Sequence, residues 1–165
     1  MAVKQVENNV YAKKPSKLNN LVKGAIVDLK LSIPVLSQYT VGDYFSNQKE
    51  TAENLLKVQD GKEAGALKKI IKGAVKQIVF TLPVIGTYKI GKAKVQHDLL
   101  KNQIEAQKCN SIYAGKPAGI LKTYFKGLGE KIKFTIPVYS TYYAGKIANE
   151  SKNMLKDSQV INAKK

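Results

Sequence analysis

The chain contains no arginine and no tryptophan, and it has one cysteine and one histidine among its 165 residues. The lone Cys109 cannot form an intramolecular disulfide or anchor a metal cluster. No nucleophile motif accompanies His97, which we interpret as a surface residue. The acidic residues are scattered, so paired acid–base catalysis has no support. We therefore expect a protein that is not an enzyme and that has no cofactor and no metal site.

The absence of arginine gives the positive charge a particular character. All 28 basic residues are lysines, and with 12 acidic residues they give a net charge of +16. Arginine reads base edges and clamps phosphates with a rigid fork, whereas lysine neutralises charge without reading sequence. Codon bias in an AT-rich genome would also explain the missing arginine, but not the shortage of acids. The charge therefore indicates a polyanionic partner, such as nucleic acid or an anionic membrane surface.

Long apolar runs are also missing. No segment approaches the ~18 apolar residues of a membrane-spanning helix. The first residues, MAVKQVENNVYAKK, show no apolar segment of a secretory signal. An apolar fraction of 44% is ordinary for a globular protein. We expect a folded protein in an intracellular compartment or in the interior of a particle.

What the chain does contain is one segment that occurs three times without a gap, at residues 18–42, 67–91 and 121–145. Such repetition indicates a repeat architecture, and it favours a scaffold or a multivalent surface over a single catalytic centre. Seven positions are identical in all three copies: Leu18/Leu67/Leu121, Lys23/Lys72/Lys126, Gly24/Gly73/Gly127, Pro34/Pro83/Pro137, Val35/Val84/Val138, Tyr39/Tyr88/Tyr142 and Gly42/Gly91/Gly145.

The first part of each copy has the spacing of an amphipathic helix. In residues 67–82, apolar side chains recur every three or four positions, and the lysines fall on the opposite face. The other two copies repeat this pattern. We expect the apolar face to be buried and the lysine face to be solvated.

A proline then interrupts each copy, at Pro34, Pro83 and Pro137. Proline inside a helix forces a kink or a restart. The Ser or Thr two residues earlier is predicted to cap the restarted helix. Each copy is thus predicted to form a helix, a proline kink or tight turn, and a second helix, with the second helices running on through 46–59, 92–107 and 146–156.

An uncharged stretch surrounds each proline, at residues 31–42, 78–88 and 134–145. Twelve helical residues span ~18 Å, which is too short for a bilayer core of ~30 Å. We therefore expect these stretches to be the most buried part of the protein. The predicted packing residues are Pro34, Pro83, Pro137, Tyr39, Tyr88, Tyr142, Gly42, Gly91 and Gly145.

These patterns predict one all-α domain of three helix–proline kink–helix repeats, at about 15–60, 64–110 and 117–158, with polar tails at 1–14 and 159–165. The repeats are expected to pack as a helical bundle. A short α-solenoid is the alternative, but three copies this similar leave no distinct capping units.

The lysines carry the functional prediction. We expect a scaffold protein whose basic surface contacts a polyanion, most naturally nucleic acid without sequence specificity, in a setting such as a virion or another large particle. The alternative is a peripheral membrane protein that binds anionic lipid through basic amphipathic helices. The candidate contact residues are Lys23, Lys68, Lys69, Lys72, Lys76, Lys122 and Lys126.

Overall fold

The computed structural model of the chain describes residues 11–56, 65–109, 111, 115 and 118–164. Within these residues it contains six α-helices and no strand. The predicted all-α class is therefore confirmed, and the helices pack as a bundle. The helices are α1 (Lys17–Ser32), α2 (Leu36–Leu56), α3 (Ala66–Thr81), α4 (Ile85–Lys108), α5 (Ile120–Thr135) and α6 (Tyr139–Lys164).

The helices form three hairpins, each with a short helix, a three-residue turn and a long helix. The turn contains the shared proline, so each long helix starts directly after it. The predicted N-caps are wrong, because the hydroxyls of Ser32, Thr81 and Thr135 instead donate to carbonyls three residues back in the short helix. These hydroxyls therefore close the first helix of each hairpin and do not begin the second.

Each short helix packs mainly on the long helix of another hairpin. Helix α3 packs on α2, α5 packs on α4, and α1 packs on α6. The two helices of one hairpin touch much less. Because the first hairpin packs on the last, the three hairpins are linked in a closed ring and not in an open row.

Glycine makes these contacts possible. A Cβ atom on Gly24 would lie 1.7 Å from the carbonyl oxygen of Thr141, and one on Gly73 would lie 1.6 Å from that of Gln38. No side chain fits at such distances, so the backbones touch only where both helices have glycine. The three crossings pair Gly24 with Gly145, Gly73 with Gly42, and Gly127 with Gly91.

The glycine crossings reverse the predicted orientation of the short helices. The shared Leu18, Leu67 and Leu121 are 71%, 70% and 69% exposed, whereas the glycine beside the shared lysine is buried. Since the glycine face of each short helix contacts the neighbour, the apolar face points away from the bundle. The prediction that this apolar face is buried is therefore wrong.

The long helices run in parallel and form the centre of the bundle. Equivalent positions meet in layers spaced by three or four residues, as in a coiled coil. The layer of Gln48, His97 and Ser151 is buried and polar, and the core beyond it is mainly apolar, with Thr51 and Ser158 also buried there. Helix α6 continues through residues 159–164, predicted as part of a polar tail, and buries Val160 and Ile161 there. The apolar core residues at this end are Leu55, Leu100, Ile104, Met154 and Ile161.

Candidate functional site

All three turns lie at one end of the molecule. Asn149 bonds Asn20 and Thr141 bonds Asp28, so α1 and α6 are antiparallel. The glycine crossings give α3 and α2, and α5 and α4, the same relation. Each short helix therefore ends where its neighbouring long helix begins, which brings the turns together.

Each turn holds a valine in the left-handed region of the backbone. The φ angles are 68° at Val35, 60° at Val84 and 63° at Val138. In each case the amide after the valine donates to the proline carbonyl, which makes a γ-turn of the strained, positive-φ kind. A β-branched residue in such a conformation costs about 1–3 kcal/mol. The same strained residue type occupies all three turns.

The turns and short helices carry nearly all of the exposed apolar surface. Within the described residues, every exposed large apolar side chain except Leu56 lies on a short helix or within one residue of a turn. The three turn valines are 57%, 62% and 71% exposed. The prediction that the uncharged stretches are the most buried part of the protein is wrong at the turns, whose prolines are also exposed. The exposed apolar residues of the turns are Ile33, Val35, Leu82, Val84, Ile85, Ile136, Val138 and Tyr139.

The other predicted packing residues take two different places. Gly42, Gly91 and Gly145 are buried at the crossings. The three shared tyrosines, Tyr39, Tyr88 and Tyr142, are half-buried one turn before these glycines.

The candidate lysines divide between clusters and ion pairs. Lys72 lies near Lys49, Lys68 and Lys76, and both burial and this positive charge lower the pKa of Lys72. Lys23 lies near Lys30 on α1 and near Lys152 on α6, and burial and this positive charge lower its pKa.

Two candidate lysines are instead neutralised by acids. Lys69 bonds Asp43 at 2.7 Å, and Lys126 bonds Asp98 at 2.9 Å. Lys122 lies on α5 and is exposed. The structure thus places Lys23 in a basic cluster between α1 and α6, and Lys68, Lys72 and Lys76 in another on α3 beside α2. It pairs the shared lysine of the third hairpin with Asp98.

A chain of hydrogen bonds, which the sequence did not indicate, crosses the centre of the bundle. The hydroxyl of Tyr44 lies 3.0 Å from His97 Nδ1, and His97 Nε2 lies 3.0 Å from Glu150. Lys101 donates to the other oxygen of Glu150 at 3.1 Å. The interpretation of His97 as a surface residue is wrong, because it is 0% exposed. The one signal in the sequence is that Gln48, His97 and Ser151 each lie six residues after the last glycine of their copy.

This chain links the three long helices to one another. Burial alone would raise the pKa of Glu150, but hydrogen bonds from His97 and Lys101 outweigh it and lower the pKa to about 2. Burial raises the pKa of the Tyr44 hydroxyl. Since the imidazole of His97 has no accessible surface, the arrangement stabilises the bundle without presenting a reactive histidine.

A cavity of about 890 Å³, open to solvent, lies between this polar chain and the turns. Its lining includes two sets of equivalent apolar residues, one near the ends of the short helices and one from the long helices. The first set is Leu31, Phe80 and Phe134, and the second is Val41, Ile90 and Ala144.

Over the described ranges, no helix combines the length and apolarity needed to cross a membrane. The same residues bring together no group of three or more side chains that could hold a metal ion. Comparison of the chain with protein families, with curated proteins and with solved structures gave no match.

Proposed function

We propose that this protein binds the surface of anionic membranes, with the three turns dipping into the headgroup region. The observation that carries the proposal is the exposed, strained valine in each of three turns at one end of the bundle. Strained backbone conformations persist only where the surrounding structure maintains them, and they occur most often at functional sites. The turn valines are exposed to water although their backbone conformation is unfavourable. Insertion of these side chains into the lipid would explain why they are kept there.

The arrangement of the turns suits a flat partner. Three tips at one end can touch a plane together, so their individually weak contacts add through effective concentration. Full burial of one valine or isoleucine side chain is worth about 1.5–3 kcal/mol. The uncharged stretches around the prolines mean that no charged side chain has to enter the lipid with the tips.

Lysines near the turns supply the electrostatic attraction to an anionic membrane. Lys30 lies in the last turn of α1, and Lys89 lies one turn into α4. A lysine near an anionic leaflet contributes about 1 kcal/mol of attraction. The net charge of +16 acts in the same direction over a longer range.

Vesicle flotation tests the proposal. The protein should float with vesicles of phosphatidylcholine mixed with phosphatidylglycerol, and much less with phosphatidylcholine alone. The triple variant V35N/V84N/V138N should bind the anionic vesicles at least about tenfold more weakly, because three apolar tips are lost.

The matched control is L18N/L67N/L121N, which changes three equally exposed apolar residues at the opposite ends of the short helices. This variant should bind vesicles like the unchanged protein. Absence of vesicle binding at low salt would refute the proposal. An equal loss in both triple variants would move the contact from the turns to the helix faces.

Nucleic acid without sequence specificity is the second candidate partner, favoured by the lysine cluster on the second hairpin. Lys68, Lys72 and Lys76 form no ion pair within the described part of the chain, and such a cluster suits phosphate contacts in a particle interior. Duplex DNA should shift in a gel at low salt and lose binding steeply as salt rises. The K68A/K72A variant should weaken this shift and the turn variant should not; a chain that shifts no DNA at low salt excludes this candidate.

A further inference from the structure

We propose that the cavity opening at the first hairpin binds one long-chain anionic amphiphile, with its alkyl chain inside and its carboxylate or phosphate on Lys23, Lys30 and Lys152. This site shares Lys30 with the surface near the turns but includes none of the turn valines, and its occupant is a single molecule between the helices. The proposal therefore does not depend on membrane binding.

The cavity exists because the smallest side chains face the space between the helices of the first hairpin. Three side chains face the space between the two helices of each hairpin. One is on the short helix, one is on the long helix, and one is on the long helix of the preceding hairpin in the ring. The first hairpin has Val27, Thr40 and Ala148 there, the second has Lys76, Lys89 and Phe45, and the third has Glu130, Tyr143 and Lys94.

Larger side chains fill the second and third spaces. In the second, the ring of Phe45 packs 5.9 Å from that of Phe80, and the Lys76 ammonium lies 4.6 Å from the Phe45 ring centre. In the third, the Tyr143 hydroxyl donates to Glu130 at 2.6 Å. With Ala148 in place of a phenylalanine, the first space stays open and joins the central cavity.

The size and lining of the cavity suit an alkyl chain. Small-molecule pockets span about 300–1,000 Å³ and are mostly apolar, with a few polar groups that fix orientation. The cavity of about 890 Å³ falls within this range. Its aromatic and aliphatic layers give an extended apolar chain contacts along its length.

The charges around the cavity suit an anionic headgroup. Lys23, Lys30 and Lys152 line it, and none of the three is in an ion pair within the described ranges. They lie close enough that Lys152 and Lys30, together with burial, lower the pKa of Lys23. An anion among them would relieve this repulsion.

The acids that line the cavity do not neutralise these lysines. Asp43 is bonded by Lys69, and Glu130 is bonded by Tyr143 and Lys133. Lys94 and Lys131 line the cavity as well, so its lining keeps an excess of positive charge. This excess selects an anion over a neutral or cationic headgroup.

Calorimetric titration below the micelle concentration tests the site. Palmitate and palmitoyl lysophosphatidate are the two anionic ligands, and they distinguish a free carboxylate from a lipid phosphate as the natural headgroup. At least one should bind, and more tightly than hexadecanol or hexadecyltrimethylammonium. A148F and T40Y, which copy residues of the other hairpins, should each weaken binding at least about tenfold by filling the cavity.

Two lysines of α6 test the contact with the headgroup. K152A should weaken binding of the anionic ligand severalfold, while K156A, an exposed lysine that does not line the cavity, should not. Circular dichroism confirms that each variant is folded. The turn variant V35N/V84N/V138N should still bind the amphiphile, which separates this proposal from vesicle binding.

Three results would overturn the inference. If neither anionic ligand binds, or if both A148F and T40Y bind as the unchanged protein does, the cavity is not the site. If hexadecanol binds as tightly as the anionic ligands, the lysines do not select the headgroup.

Discussion

Two glycines two residues apart in α5 should respond to alanine with opposite signs. A Cβ atom on Gly127 would lie 1.9 Å from the carbonyl oxygen of Thr87, at the crossing with Gly91. A Cβ atom on Gly129 would meet nothing within 4 Å. Both residues lie inside the same helix, so the intrinsic helix propensity of alanine acts on both equally.

The structure sets the size of the two effects. Ordinary contact begins at 3.4 Å, so alanine at Gly127 requires α5 and α4 to separate by about 1.5 Å. A gap of 0.5–1 Å already forfeits a quarter to a half of each dispersion contact, and overpacking typically costs about 1–3 kcal/mol or more. We expect Gly127→Ala to lower the free energy of unfolding by about 3 kcal/mol. Gly129→Ala should raise it by about 0.5–1 kcal/mol through helix propensity alone.

Urea denaturation followed by circular dichroism at 222 nm measures both variants. The midpoint should fall for Gly127→Ala and rise for Gly129→Ala. Changes of the same sign, or a loss below about 1 kcal/mol at Gly127, would show that the helices do not meet backbone to backbone at this crossing.

Two further changes probe the polar chain and the turns. The folded pKa of Glu150 is about 2 and its ordinary value is 4.5, so the stability that Glu150 contributes is complete above pH 4.5 and is lost as the pH falls through 2. Glu150→Gln should therefore flatten the dependence of the urea midpoint on pH over this window. An unchanged slope would contradict the assigned hydrogen bonds. The V35N/V84N/V138N variant should have a higher melting temperature than the unchanged protein, because asparagine tolerates positive φ better than valine. A lower melting temperature would mean that the valines are not strained.

The sequence predicted the helices and the breaks between them for physical reasons that act locally. Apolar spacing defined the short helices, and Pro34, Pro83 and Pro137 defined the places where they had to end. The orientation of the short helices could not be predicted in the same way. Periodicity shows which face of a helix is apolar. The neighbouring long helix packs on the opposite face, because only Gly24, Gly73 and Gly127 allow the two backbones to touch.

The cavity and the polar chain depend on which hairpins are neighbours. Ala148 leaves a space because it faces Val27 and Thr40, and this juxtaposition requires α1 to pack on α6. His97 is buried because equivalent positions of three long helices meet at the centre. Spacing along the chain does not show which hairpins are neighbours, so neither the cavity nor the burial of His97 could be predicted from it.

The ring closure also sets an order of events during synthesis. Helix α3 can pack on α2 as soon as both have left the ribosome, and α5 can then pack on α4. Of these six helices, α1 is made first and its partner α6 last. Until α6 has been made, Gly24 and the face around it have no partner helix, so the contact that closes the ring forms after the other two crossings.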